Sequence, residues 1–168
     1  MSNSPDSLKE FLATHSSVIR VALTRVRGSS PRNEGTEMFV SAQALWGTIG
    51  GGQLEFMAIQ AAQDMLQSGN LEREMDVPLG AEIGQCCGGR VEIRLIRMRS
   101  SDKRAAGERA RQTDAALPHV YVMGAGHVGR ALAELFQHLP VKCILIDARP
   151  EEIARNTAAV ENRISVLP

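Results

Sequence analysis

The feature that most constrains this chain is Gly124-Ala125-Gly126-His127-Val128-Gly129, set between two different kinds of apolar run. Before it, His119-Val120-Tyr121-Val122-Met123 is short, β-branched and aromatic, the pattern of a buried strand. After it, a helix is expected from about His127 to His138, with Leu132, Leu135 and Phe136 on its inner face. Val141 to Ile146 reads as a second buried strand and ends at Asp147. A G-x-G-x-x-G between strand and helix, with an acid closing the next strand, is the pattern of a dinucleotide-binding βαβ unit. Gly124 permits the sharp turn, Gly126 lets backbone approach a pyrophosphate, and Gly129 lets helix and strand pack closely. Asp147 is placed to accept from a ribose hydroxyl. A short helix near 151–155 and a third strand at 163–167 follow. Three strands are half of a doubly wound sheet, so 118–168 is expected to be an incomplete Rossmann-like domain. A scaffold of this shape that has lost its ligand shows the same pattern, and both alternatives stand.

The first part of the chain has a different grammar. Ser4-Pro5-Asp6 suggests a capped helix with Leu8, Phe11 and Leu12 on one stripe. Strands are expected at 18–26, 36–41, 45–49 and 90–98, and a weaker one at 71–79 that Pro78 confines to an edge or an ending. Gln53 to Gln67 carries apolar residues at helical spacing, with Gly69 as its stop. Ahead of that helix stand Gly50, Gly51 and Gly52, and Glu55 falls in its first turn. Bare amides beside a helix N-terminus suit a phosphate or another anion. A tight turn needing positive φ is the plainer account, although one glycine would satisfy it. Residues 100–116 are charged, alanine-rich and poor in large apolar side chains, so 100–117 is expected to be a linker carrying at most an exposed helix. The expected plan is α/β: a mixed α+β domain over 1–99, the linker, then the parallel-sheet domain.

Two further stretches carry chemistry. In Arg27-Gly28-Ser29-Ser30-Pro31-Arg32, Ser30 offers a hydroxyl and Arg32 a guanidinium fork suited to phosphate or carboxylate, though a solvated loop would look the same. Cys86 and Cys87 lie between Gln85 and two glycines. An accessible thiolate there could carry sulfur, meet a metal or be oxidised, and two small buried residues at a strand start are the alternative. The third cysteine, Cys143, sits in an apolar strand and reads as core. Lysine plus arginine and aspartate plus glutamate number 19 each, which gives no basic surface for nucleic acid or for a membrane. No apolar run approaches a membrane span. The opening residues lack a signal-peptide pattern and three cysteines make no disulfide framework, so a cytoplasmic protein is expected.

Taken together, Arg27 to Arg32, Gly35-Thr36-Glu37-Met38, Gly47-Thr48-Ile49-Gly50-Gly51-Gly52-Gln53-Leu54-Glu55, Gly84 to Arg90 and Val122 to Leu132 resemble the motifs of the xanthine dehydrogenase accessory protein family, XdhC/CoxI. They follow the family's order along nearly the whole chain. The resemblance implies a chaperone, not an enzyme, that binds the molybdenum cofactor (molybdopterin) and protects it during sulfuration with a cysteine desulfurase. It also implies help in delivering the cofactor to the molybdenum subunit of xanthine dehydrogenase, and a homodimer. On that view Ser30, Arg32, the Gly50 to Gly52 turn, Glu55, Cys86 and Cys87 bind the cofactor, with Cys87 at the molybdenum. Gly124, Gly126, Gly129 and Asp147 would serve NAD(P) or another nucleotide. An NAD(P)-dependent oxidoreductase and a ligand-free scaffold or regulatory protein are the competing readings.

Overall fold

A computed structural model describes residues 4–84 and 88–165. It divides into two compact units, Met1–Arg111 and Gln112–Pro168, each with its own core. The boundary falls inside the stretch expected to be a linker. The architecture is α/β, with an antiparallel sheet in the first unit and a Rossmann-like parallel sheet in the second.

In the first unit, α1 (Pro5–Thr14) is capped by Ser4, whose hydroxyl accepts from the Ser7 amide at 3.2 Å. The strands are β1 (Ile19–Arg27), β2 (Glu37–Val40), β3 (Leu45–Gly47), β4 (Glu72–Pro78) and β5 (Arg90–Arg97). They form one sheet in the order β3-β2-β1-β5-β4, with antiparallel pairing throughout. Pro78 therefore closes an edge strand, where its missing N–H costs no ladder bond. Alternation sets the two faces: Ile19, Val21 and Leu23 of β1 and Val91, Ile93 and Leu95 of β5 are buried. They pack with Leu54, Ala58, Ala61, Ala62 and Met65 of α2 (Gly52–Ser68). Gly69 ends α2 in the left-handed conformation.

The other face is covered by α1 and by α3 (Ser100–Ala115), through a cluster of Leu8, Phe11, Leu12, Val18, Phe39, Met98 and Ala106. Residues 100–115, expected to be exposed, thus bury Ala106 and Gly107. Large apolar residues were missing from this stretch because α1 and the sheet supply them. Lys103 adds a polar anchor, its ammonium donating to the carbonyls of Leu12 in the last turn of α1 and of His15 and Ser16 just after it.

In the second unit, β6 (His119–Met123), β7 (Lys142–Asp147) and β8 (Glu161–Ile164) are parallel in the order β6-β7-β8, with α4 (His127–Phe136) and α5 (Pro150–Ala154) between them. The inner stripe of α4 differs from expectation. Gly129 and Ala133 are buried with Phe136 partly so, whereas Leu132 and Leu135 are 38% and 56% exposed. Gly129 sets this rotation, because a Cβ there would lie 1.7 Å from the Gly124 carbonyl oxygen. The third strand ends at Ile164, and the last residues of its expected range, 166 and 167, lie outside the described residues. Among the described residues no helix is long and apolar enough to cross a membrane.

Candidate functional site

The glycine turn ahead of α2 is built differently from the bare anion cradle expected of it. Gly50, Gly51 and Gly52 all have positive φ, at 126°, 76° and 63°. Each needs glycine for its backbone alone, so three in a row do not by themselves imply a ligand. Glu55, one turn into the helix, folds its carboxylate back over the turn. Its Oε2 accepts from the Ile49 amide at 2.9 Å, from the Gly51 amide at 3.1 Å, and from the Thr48 hydroxyl. The Gly50 amide donates to Thr48 Oγ1 at 3.1 Å. The anion that these amides attract is supplied by the chain itself.

The loop after β1 joins this turn to the cysteine segment. A Cβ on Gly50 would lie 2.7 Å from Pro31 Cγ and 3.6 Å from Arg32 Cγ, so loop and turn are in contact. At the other end of the loop, a Cβ on Gly89 would lie 2.0 Å from the Ser29 carbonyl oxygen, and one on Gly28 would lie 3.3 Å from Gly89 Cα. Only glycines permit that approach. Gly88 and Gly89 are held in turn by Leu79, whose carbonyl accepts from the Gly88 amide and whose amide donates to the Gly89 carbonyl, both at 2.8 Å. Ser30, Arg32, the glycine turn and Gly88-Gly89 are therefore linked through residues 28–32. Cys86 and Cys87, next to Gly88, lie outside the described residues. Among the described residues, the exposed Arg32 forms no salt bridge and the buried Ser30 hydroxyl oxygen has no hydrogen-bond partner. Buried hydroxyls are normally satisfied, which sets Ser30 apart within this loop. Among the described residues no group of three or more His, Cys, Asp or Glu could hold a metal ion.

The nucleotide-like turn of the second unit has the expected backbone. Gly124 has φ of 102° and its amide donates to Ile146 at 2.7 Å, and Gly126 caps α4. Asp147 is otherwise engaged. Its Oδ2 accepts from the Ala125 amide at 2.7 Å and Arg149 Nη2 at 2.9 Å, and its Oδ1 from Arg149 N at 2.9 Å and Nε at 3.0 Å. The Arg149 guanidinium, followed by the two amides, holds this buried carboxyl well below the usual carboxylate range. Four donors fill its four lone pairs, which leaves no acceptor for a ribose hydroxyl. Arg130 also lies on this turn, donating to the Ala125 carbonyl at 2.5 Å and to Glu152 at 2.7 Å.

Sequence reasoning passed over Thr48, Pro31, Arg130 and Arg149. Two of them had a visible signal. Thr48 stands two residues before Gly50, and Glu55 four after Gly51, the spacing of a loop that caps itself. Arg149 follows Asp147 by two, within reach of an Asx-type contact. The contact of Pro31 with Gly50 joins segments far apart in sequence and had none.

A sequence model of the XdhC and CoxI family matches residues 11–75. Among solved structures, a crystal structure described as a xanthine dehydrogenase from Bacillus halodurans matches with a TM-score of 0.79 and 16% identity. The match covers 96% of this chain and 68% of that one, and at this identity it shows the fold alone. None of the curated proteins matches the sequence. The matched segment runs from α1 to β4 and contains the Gly28 to Arg32 loop and the glycine turn, so the resemblance of this chain to the XdhC and CoxI family is carried by the residues that build the site.

Proposed function

We propose that the chain is an accessory protein of xanthine dehydrogenase that binds the molybdenum cofactor, protects it during sulfuration and aids its insertion. The observation that supports this most is the junction at residues 28–32, which ties the glycine turn, Arg32 and the segment beside Cys86-Cys87 into one region of the first unit. The residues present fit such a group. Among the described residues Arg32 forms no salt bridge and the buried Ser30 hydroxyl has no partner, and a guanidinium with a hydroxyl is a pair that a terminal phosphate takes. With Glu55 already on the turn amides, the phosphate belongs with Arg32 and Ser30. The Gly50 to Gly52 turn then shapes the wall. When bound, the cofactor supplies a sulfur-ligated molybdenum centre, and Cys86 and Cys87 are the thiols to which that end is assigned. A cysteine desulfurase and a second copy of the chain complete the proposed set of partners.

An oxidoreductase reading draws less support, since Asp147 has spent its acceptors on Ala125 and Arg149. Mass spectrometry of small molecules that copurify with the protein tests the proposal directly. Molybdopterin is expected in near-stoichiometric amount, reduced at least tenfold in Arg32→Ala and Cys87→Ala while the circular dichroism spectrum is unchanged. Full retention by both variants would remove the site, and copurification of NAD(P) in place of a pterin would return the second reading.

A further inference from the structure

The first unit carries a second concavity, between α1 and α3, that the cofactor region does not use. It is an open groove of about 530 Å³ lined by Lys9, Leu12 and Ala13 of α1 and by Arg104, Gly107, Glu108 and Arg111 among the residues of α3. On α3 these four fall at i, i+3, i+4 and i+7, a single face of the helix. The opposite side holds Ala106 and Ala110 against the core.

Two observations point to an occupant. The first is Gly107. It sits in the middle of a 16-residue helix, has no positive φ, and an added Cβ would meet nothing within 4 Å. Neither the backbone nor packing requires glycine, and alanine would make the helix more stable. Gly107 is buried yet lines the groove, so what the missing side chain gives is room inside it. The second is charge. Lys9 and Arg104 form no salt bridge among the described residues, and Arg111 pairs with Glu108 at the surface. The lining thus combines a net positive charge with the small or apolar Leu12, Ala13 and Gly107. Lys103, although it lines the groove, has all three ammonium protons committed to carbonyls. The groove's open shape suits a row of side chains better than an enclosed small ligand.

We propose that the α1–α3 groove is a docking site for an acidic amphipathic helix of a protein partner. The apolar stripe of that helix lies over Leu12 and Gly107, and its carboxylates meet Lys9 and Arg104. The accessory role argued above enters only in naming the partner to test, xanthine dehydrogenase.

Surface-immobilised, purified xanthine dehydrogenase titrated with the full chain provides the test, using the wild type, Gly107→Leu and Arg104→Glu. The expected result is binding by the wild type and at least tenfold weaker binding by each variant. Binding should also fall severalfold between 50 and 200 mM salt, as charge pairing at a rim requires. Gly107→Leu is expected to melt at or above the wild-type temperature and to keep molybdopterin at the wild-type level, which separates lost docking from lost folding. Should Gly107→Leu not fold, Arg104→Glu and Lys9→Glu on the rim give the same reading. Equal binding by all variants overturns the groove and leaves the cofactor reading intact. A wild type that retains molybdopterin but does not bind the dehydrogenase likewise overturns the groove alone. Sedimentation showing a wild-type dimer that Gly107→Leu dissolves would assign the groove to a second copy and overturn the proposal.

Discussion

At Glu55 a single carboxylate oxygen gathers the amides of Ile49 and Gly51 and the hydroxyl of Thr48. Removing it leaves donors in a partly buried turn without an acceptor. Glu55→Ala is therefore expected to cost about 2–3 kcal/mol in urea unfolding, well beyond an ordinary surface truncation. The neighbouring glycines should separate by mechanism. Gly51→Ala meets open space, and its cost, about 1–3 kcal/mol, comes only from a backbone at φ 76° and ψ −172° that is essentially confined to glycine. Gly50→Ala adds a collision with the Pro31 ring and is expected to cost about 2–4 kcal/mol. Equal losses in the two variants would contradict the packing of loop on turn. Asp147 gives a pH prediction. Its carboxyl is depressed in the folded state, so its contribution is present above the unfolded value near 4 and is lost as pH falls below it. The urea midpoint of the second unit should fall from pH 5 to pH 2, and less steeply in Asp147→Asn.

The elements are held at their ends by long cations as much as by their faces. Arg97, at the close of β5, donates from Nη2 to the Met65 and Leu66 carbonyls at 2.6 and 3.0 Å, joining the sheet to the last turn of α2. Arg97→Met should lower stability by about 1–2 kcal/mol through loss of that cap, with α2 amides near Met65 exchanging first in hydrogen-exchange experiments. Such contacts explain what was legible beforehand. The strands at 19–27 and 90–97 announced themselves through alternation, and α2 through its apolar spacing and Gly69. The burial of α3 did not, because Ala106 and Ala110 look like a solvated helix until α1 is set beside them. The rotation of α4 was misjudged for a related reason: Leu132 and Leu135 are the largest apolar residues on it, but the approach of Gly129 to Gly124 decides which side faces in. In the site, residue types such as Ser30, Arg32 and the glycines were readable. The pairings of Glu55 with its turn and of Arg149 with Asp147 were readable as spacings, whereas the packing of Pro31 on Gly50 was not, because it joins segments far apart in sequence.

At the scale of the whole molecule the two units differ in how much core each owns. The first packs sixteen buried residues between its sheet and α2 and has a second cluster under α1 and α3. Among the described residues the second holds a cluster of five, Val122, Ala125, Ala133, Cys143 and Leu145. A unit so small buries proportionately little surface and is marginal by itself. Amides of β6 to β8 are expected to exchange at least tenfold faster than those of β1 and β5, and Gly129→Ala to abolish protection in the second unit while sparing the first. Uniform exchange across both units would refute this.

The touching backbones at Gly28 and Gly89 have a mechanical consequence. With no side chain interposed, a Cβ at Gly89 would collide with the Ser29 carbonyl oxygen, so Gly89→Ala is expected to push the loop of Ser30 and Arg32 away from its place against the sheet.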